Sequence, residues 1–112
     1  MITRERLPQR RRSENFPIKI PGLSREIVLT VGYYDDGRPG EVFVSDVKAG
    51  TDADATTRDA AVLLSLALQH HIPIEAIQSA ITRERNGSAS STIGVLVDHL
   101  VKEHEQQEEP NQ

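Results

Sequence analysis

The sequence contains no cysteine and no tryptophan, and its aromatic residues are only two phenylalanines and two tyrosines in 112 residues. Without cysteine, these residues form no disulfide, thiolate zinc site or iron–sulfur cluster, and they supply no thiol for radical or exchange chemistry. With so few aromatic side chains, the chain also lacks the row of stacking platforms on which single-strand nucleic-acid binders hold bases. These absences exclude several classes of site before any motif is considered.

Long apolar runs are missing as well. No uninterrupted apolar stretch in the sequence approaches the roughly 18 residues that cross a bilayer, and the arginine-rich N-terminus does not resemble a secretion signal. We therefore predict a cytoplasmic protein. At 112 residues with 37% hydrophobic residues and a net charge of −4, the chain is too small for a large self-contained enzyme and is unsuited to bulk polyanion binding.

The charge that is present is divided between the two ends of the chain. Residues 1–13 carry five arginines and little apolar side chain, which predicts a disordered basic arm. Residues 104–112 predict a disordered acidic tail. Residues 14–103 remain as a single domain whose small core favours a homodimer.

In the first half of this domain the apolar residues alternate, as they do in strands. Residues 16–20 predict a short edge strand that ends at a turn at residues 21–22, and residues 25–34 give the clearest strand. Asp35, Asp36 and Gly37 supply the side chains and the positive φ of a tight hairpin. The partner strand is predicted over residues 41–47, because Pro39 cannot donate to a ladder.

After Gly50 the apolar period becomes helical. Residues 56–59 resemble a capping box before an almost wholly apolar helix over residues 60–68, whose surplus apolar face needs another helix or another subunit. A second helix is predicted from Pro73 to near Gly87, and a third after Ser90 or Ser91. The order predicts an α+β fold in which a three-stranded antiparallel meander packs against about three helices in two layers.

Several motifs of this sequence together resemble the TSCPD domain. They lie at residues 6–8 (RLP), 31–34 (VGYY), 36–44 (DGRPGEVFV), 48–50 (KAG), 64–69 (LSLALQ) and 72–75 (IPIE). The resemblance covers residues 5–83, and residues 92–101 are compatible with the helix that follows in the family. This domain occurs at the C-terminal end of cobalamin-dependent (class II) ribonucleotide reductases and as small free-standing proteins.

The resemblance implies a module of deoxyribonucleotide metabolism, and by homology the label of ribonucleoside-diphosphate reductase. The family is named for a cysteine motif, whereas this chain offers Ser88, Ser90 and Ser91 in the corresponding region. Their alcohols are poor soft-metal ligands and do not exchange disulfides. We therefore expect no catalysis by the chain alone, no metal and no cofactor, and we expect a reductase chain, a nucleotide or a second copy as partner.

The stretch from Gly37 to Glu41 is the most specific local motif. It predicts either a loop that presents Arg38 to a phosphate or carboxylate, or a hairpin whose arginine pairs with Glu41 or solvent. Arg10, Arg11 and Arg12 offer a second candidate, either for docking on a partner, a nucleotide or nucleic acid, or as a solvated tail. A small enzyme or nucleotide-binding regulator would need Arg38, Glu41 and the acidic residues of segment 52–59 in one pocket.

Three further patterns have simpler interpretations. His70 and His71 end the apolar helix, and adjacent helical side chains diverge too far to share one metal ion readily. Asp52, Asp54 and Asp59 match no EF-hand spacing and suit a helix-initiating loop. The serines of residues 88–91 are better explained as helix caps than as hydrolase nucleophiles.

Overall fold

The structure, a computed structural model, describes residues 3–20, 26–45 and 52–108. Three strands precede three helices: β1 (Ser13–Lys19), β2 (Glu26–Tyr33), β3 (Pro39–Ser45), α1 (Asp52–Gln69), α2 (Ile74–Ala80) and α3 (Thr92–Glu108). The chain divides into two compact units, Met1–His71 and Ile72–Gln112. The elements confirm the predicted α+β class, while the predicted turn at residues 21–22 and the motif at residues 48–50 lie outside the described residues.

The first unit contains an antiparallel sheet in the order β1-β2-β3, as the meander prediction required. Ile27, Leu29 and Val31 of β2 are completely buried, because alternate residues of a strand point to the same face. Gly37 has a φ of 93° in the hairpin, which confirms the predicted turn. Its amide N–H donates to the carbonyl of Tyr34 at 2.9 Å.

The start of β3 differs from the prediction. The strand begins at Pro39, which lies opposite Tyr33 beside an irregularity in the register between Gly32 and Tyr33. The N–H of Tyr33 donates instead to the carbonyl of Arg12, 2.9 Å away on the β1 side. Proline is tolerated at the first position of an edge strand, because its missing N–H is not needed there.

The start of α1 also differs, because the helix begins at Asp52 rather than after the proposed capping box. Thr57 is buried together with Ala61, Leu64 and Leu68. This spacing makes Thr57 the first member of the buried helical stripe, so it is not a cap. Within the first unit α1 packs against β3.

The second unit contains α2 and α3, which pack against each other. The prediction placed the end of α2 near Gly87, but the helix ends at Ala80 because Ile81 is extended. The chain then folds back on itself in a short hairpin that pairs Arg83 with Ala89, and Gly87 has a φ of 91°. The predicted cap of α3 is confirmed, since the N–H of Gly94 donates to Ser91 Oγ at 3.0 Å.

α3 places Leu96, Val97, Leu100 and Val101 on one buried stripe. The helix continues to Glu108, into the segment predicted to be a disordered tail. Among the described residues, no helix is both long enough and apolar enough to cross a membrane.

Candidate functional site

Arg38 lies at the centre of a polar cluster beside the β2–β3 hairpin. Its Nε is 2.7 Å from Asp36 Oδ2, its Nη2 is 3.1 Å from Glu5 Oε1, and its guanidinium lies over the Tyr34 ring at 4.5 Å. His71 completes the cluster, with Nε2 3.1 Å from Glu5 Oε1. These five residues, Glu5, Tyr34, Asp36, Arg38 and His71, are called the hairpin cluster below.

Hydrogen bonds hold the carboxylate of Asp36 in its charged form. The backbone N–H of Arg38 and then its side chain lower the pKa of Asp36, and the bond to Asp36 raises the pKa of Arg38. Burial, and then the charge of Glu5, raise the pKa of Tyr34, whose hydroxyl donates to the carbonyl of Glu5. The cluster is therefore a closed network in which Arg38 already has two carboxylate partners.

The N-terminal segment, residues 3–12, supplies part of this network. The N–H of Glu5 donates to the carbonyl of Gln69 at 2.8 Å, at the end of α1. A Cβ on Gly40 would lie 2.6 Å from Tyr34 Cε2 and 2.9 Å from Leu7 Cδ2, so only glycine permits this close approach. The sequence predicts a disordered arm here, and the contacts offer a specific alternative that can be tested.

The other predicted site residues lie apart from Arg38. Arg11 makes a two-point ion pair with Glu41, with Nε 2.5 Å from Oε2 and Nη2 3.2 Å from Oε1. Hydrogen bonding to Glu41 raises the pKa of Arg11. Arg12 lies over the Tyr33 ring at 4.2 Å, while Arg10 is exposed.

The structure places Arg38 and Glu41, two of the residues proposed for a nucleotide pocket, in the linings of different cavities. Arg38 lines a cavity of about 340 Å³ with Glu5 and Tyr34, whereas Glu41 lines a different one. Asp59 is exposed on α1, and the side chains of Asp52 and Asp54 lie outside the described residues.

The two adjacent histidines contact different groups, although both follow the end of α1 at Gln69 and His71 has a φ of 64°. His70 Nδ1 is 2.8 Å from the carbonyl oxygen of Leu66, whereas His71 contacts Glu5. In the part of the chain that the structure describes, no three His, Cys, Asp or Glu side chains are grouped to hold a metal ion.

Sequence reasoning missed Gln69, a polar side chain of the first unit that is only 4% exposed. Its Nε2 donates to the carbonyl of Gly40 at 2.9 Å, and its Oε1 accepts from Arg4 Nε at 2.5 Å. One turn earlier, Ser65 Oγ accepts the N–H of Val42 at 2.9 Å. The only signal in the sequence was a serine and a glutamine four residues apart in an otherwise apolar helix.

Ser65 and Gln69 of α1, bonded to Val42 and Gly40 of β3, form a polar seam. The seam fits because the residue spacings of the helix and of the strand match. Four helical residues advance by ~6.0 Å, and two strand residues advance by ~6.8 Å. Ser65 and Gln69 thus meet Val42 and Gly40 in register. The helix thereby occupies the outward backbone groups of Val42 N–H and Gly40 C=O on the edge of β3.

A second cavity opens beside this seam, and we call it the α1–β3 groove. It has a volume of about 390 Å³. Its walls are formed by Arg4 and by residues of β3 and α1: Glu41, Val42, Phe43, Val44, Arg58, Ala61, Val62, Ser65, Leu66 and Gln69. Phe43 and Val62 are 56% and 57% exposed, so two large apolar side chains lie open on the walls of this groove.

The chain matches the model of the TSCPD domain over residues 3–105. It is 38% identical over 82 residues to the vitamin B12-dependent ribonucleotide reductase of Rhodopirellula baltica, which covers 73% of this chain and 8% of that protein. The reductase of the same name from Bradyrhizobium diazoefficiens is 33% identical over 85 residues, 76% of this chain and 7% of its own length. The one from Agrobacterium fabrum is 34% identical over 79 residues, 70% of this chain and 6% of that protein.

The chain therefore spans less than a tenth of the length of these relatives. No solved structure matches the chain significantly.

Proposed function

The chain belongs to the TSCPD domain family, and from this we propose that it is a non-catalytic module that binds a ribonucleotide reductase chain and assists or regulates it. The resemblance stated from the sequence motifs is confirmed by the family match. The accessory role is supported by the kind of relative that the chain matches, since each is a ribonucleotide reductase many times longer.

Composition favours binding over chemistry. These 112 residues contain no cysteine, and reduction of a ribonucleotide requires thiol groups to form the radical and to supply electrons. Serine alcohols cannot replace thiols in disulfide exchange. The observation that carries the proposal is this combination of a reductase-type module with no thiol.

The described site also has the character of a scaffold. Arg38 and Arg11, two of the arginines that the sequence proposes for a phosphate, already contact carboxylates at hydrogen-bond distance. A ligand phosphate would have to displace those carboxylates, and charge-assisted bonds are the stronger ones. This supports a protein partner over the nucleotide-binding alternative.

The test uses the cobalamin-dependent reductase of Rhodopirellula baltica, both full length and with its matching segment removed. We expect the chain to bind the shortened reductase in surface plasmon resonance, more strongly than the full-length enzyme whose own segment competes. The chain alone should produce no deoxyribonucleotide.

Three results would contradict this proposal. Binding to neither form of the reductase would remove the partner, and turnover of a ribonucleotide by the chain alone would make it an enzyme. Heat of binding to a nucleotide in calorimetry, without any reductase present, would favour the nucleotide-binding regulator instead.

A further inference from the structure

The α1–β3 groove leaves two large apolar side chains open to solvent. Phe43 on β3 and Val62 on α1 face it, and both are more than half exposed. The groove volume of about 390 Å³ falls within the range of cavities that hold a ligand of a few side chains. An occupant here would gain the transfer free energy of apolar burial.

The groove cannot be filled by simple strand addition at its centre. An extended peptide that joins a sheet bonds to the outward backbone groups of the edge strand. On β3 the N–H of Val42 is already bonded to Ser65, and the carbonyl of Gly40 is bonded to Gln69. The occupant must therefore be recognised through side chains.

The positive charge of Arg4 indicates that the side chains of the occupant include carboxylates. Arg4 contributes one wall of the groove, and its Nε is fixed by the buried amide of Gln69 at 2.5 Å. A guanidinium has five N–H donors, and within the described residues the two Nη groups of Arg4 have no hydrogen-bond partner. None of the ion pairs between described residues includes Arg4, in contrast to Arg11, Arg38 and Arg83.

The remaining charges of the groove do not cancel that of Arg4. Glu41 is the one carboxylate among the lining residues. Glu41 is neutralised by Arg11 through its two-point ion pair. The groove thus combines an apolar floor with a positive wall, which is complementary to an apolar side chain flanked by carboxylates.

We propose that the α1–β3 groove binds an acidic segment of the partner chain, with an apolar side chain between Phe43 and Val62 and a carboxylate on the Nη groups of Arg4. Only the identity of the partner, the reductase chain, rests on the proposed function. Gln69 is a positioning residue, because it acts through Arg4.

Two short fluorescein-labelled peptides test the chemistry directly. In one, leucine and glutamate alternate, and in the other lysine replaces each glutamate. Fluorescence anisotropy should show binding of the acidic peptide to the wild-type chain and no binding of the basic one. The proposal would be overturned if both peptides bound with equal affinity or if neither peptide bound.

Matched variants then locate the binding. Arg4→Gln should lower the affinity for the acidic peptide by about tenfold or more, the range expected for the loss of a charge-assisted hydrogen bond. Arg6→Gln, with the same charge change in the same segment but outside the groove lining, should leave its affinity unchanged. Val62→Ser should weaken binding, whereas Leu63→Ser should not, because Leu63 is 68% exposed and does not line the groove.

The same four variants separate this inference from the proposed function. If the reductase binds the wild-type chain and all four variants equally, the groove is not its docking site although the proposed function stands. If the reductase binds neither the wild-type chain nor any variant, while the acidic peptide shows the predicted pattern, the groove proposal stands without that partner. Light scattering that detects a dimer disrupted equally by Val62→Ser and Leu63→Ser would place a second copy on α1 and overturn the proposal.

Discussion

The hairpin cluster and the α1–β3 groove both contain an arginine, but they use it in opposite ways. Arg38 contacts Asp36 and Glu5, so its charge is neutralised within the fold. Arg4 is held by the neutral amide of Gln69, so its charge remains available beside exposed apolar side chains. The comparison shows that an arginine's availability depends on what fixes it, and that the most motif-like arginine is here the less available one.

The largest effect should come from Gln69, because it serves both regions. Its side chain holds Arg4 at the groove, and its carbonyl accepts the N–H of Glu5 beside the hairpin cluster. Gln69→Ala leaves the carbonyl of Gly40 without its donor, so we expect a loss of about 2 kcal/mol in the free energy of unfolding. Urea denaturation measures this loss.

Two further variants show whether that loss of stability comes from the bond between Gln69 and Gly40. Gln69→Glu keeps an acceptor for Arg4 but loses the donor to Gly40, so it should be destabilised while Arg4 stays in place. Gln78→Ala in the second unit removes one bond to Asp98, which Arg83 still pairs, so it should lose less than about 1 kcal/mol. A Gln69→Ala chain no less stable than Gln78→Ala would show that the buried seam does not hold the two regions together.

The next largest effect concerns the N-terminal segment. If its contacts persist in solution, the amide proton of Glu5 should exchange at least about tenfold more slowly than those of Arg6 and Arg10, as hydrogen-bonded amides do. Arg38→Gln should reduce this protection because it removes the ion pair with Glu5, whereas Arg10→Gln should not. Hydrogen exchange followed by NMR gives the answer, and free exchange at Glu5 would support the disordered arm that the sequence predicts.

The local parts of this structure were predictable, and the parts that join distant segments were not. The buried face of β2, the positive φ of Gly37 and the cap at Ser91 follow from side chains a few residues apart. The bond between Arg4 and Gln69 joins residues 65 positions apart, and the seam from Ser65 to Val42 joins residues 23 apart. No periodicity signals such contacts, because they depend on how α1 lies against β3.

The boundaries of the helices failed for a related reason. Thr57 resembles a cap in the sequence but is buried on α1, and the second helix stops at Ala80 where the chain turns into the hairpin at Arg83. In both places packing within a unit outweighs the local signal. The candidate site shows the same limit, since the sequence could name Arg38 and Glu41 but could not predict that each pairs with a different partner.

The smallest expected effect is on acid stability, and it separates the two arginines by charge alone. Hydrogen bonds from Arg38 lower the folded-state pKa of Asp36, so the stability this gives is present above about pH 4 and is lost as pH falls through the lowered value. With Arg38→Gln, the free energy of unfolding should therefore change less with pH in this range. Arg4→Gln should leave the curve parallel to that of the wild-type chain, because Arg4 has no carboxylate partner among the described residues.

The lowered pKa of Asp98 beside Arg83 contributes equally to all three proteins and cancels in their differences. Urea denaturation at intervals from pH 6 down to the acid limit gives the three curves. If Arg4→Gln flattened the curve as much as Arg38→Gln, a carboxylate would be paired with Arg4 in solution. The groove would then be neutral, and the distinction between the two regions would fail.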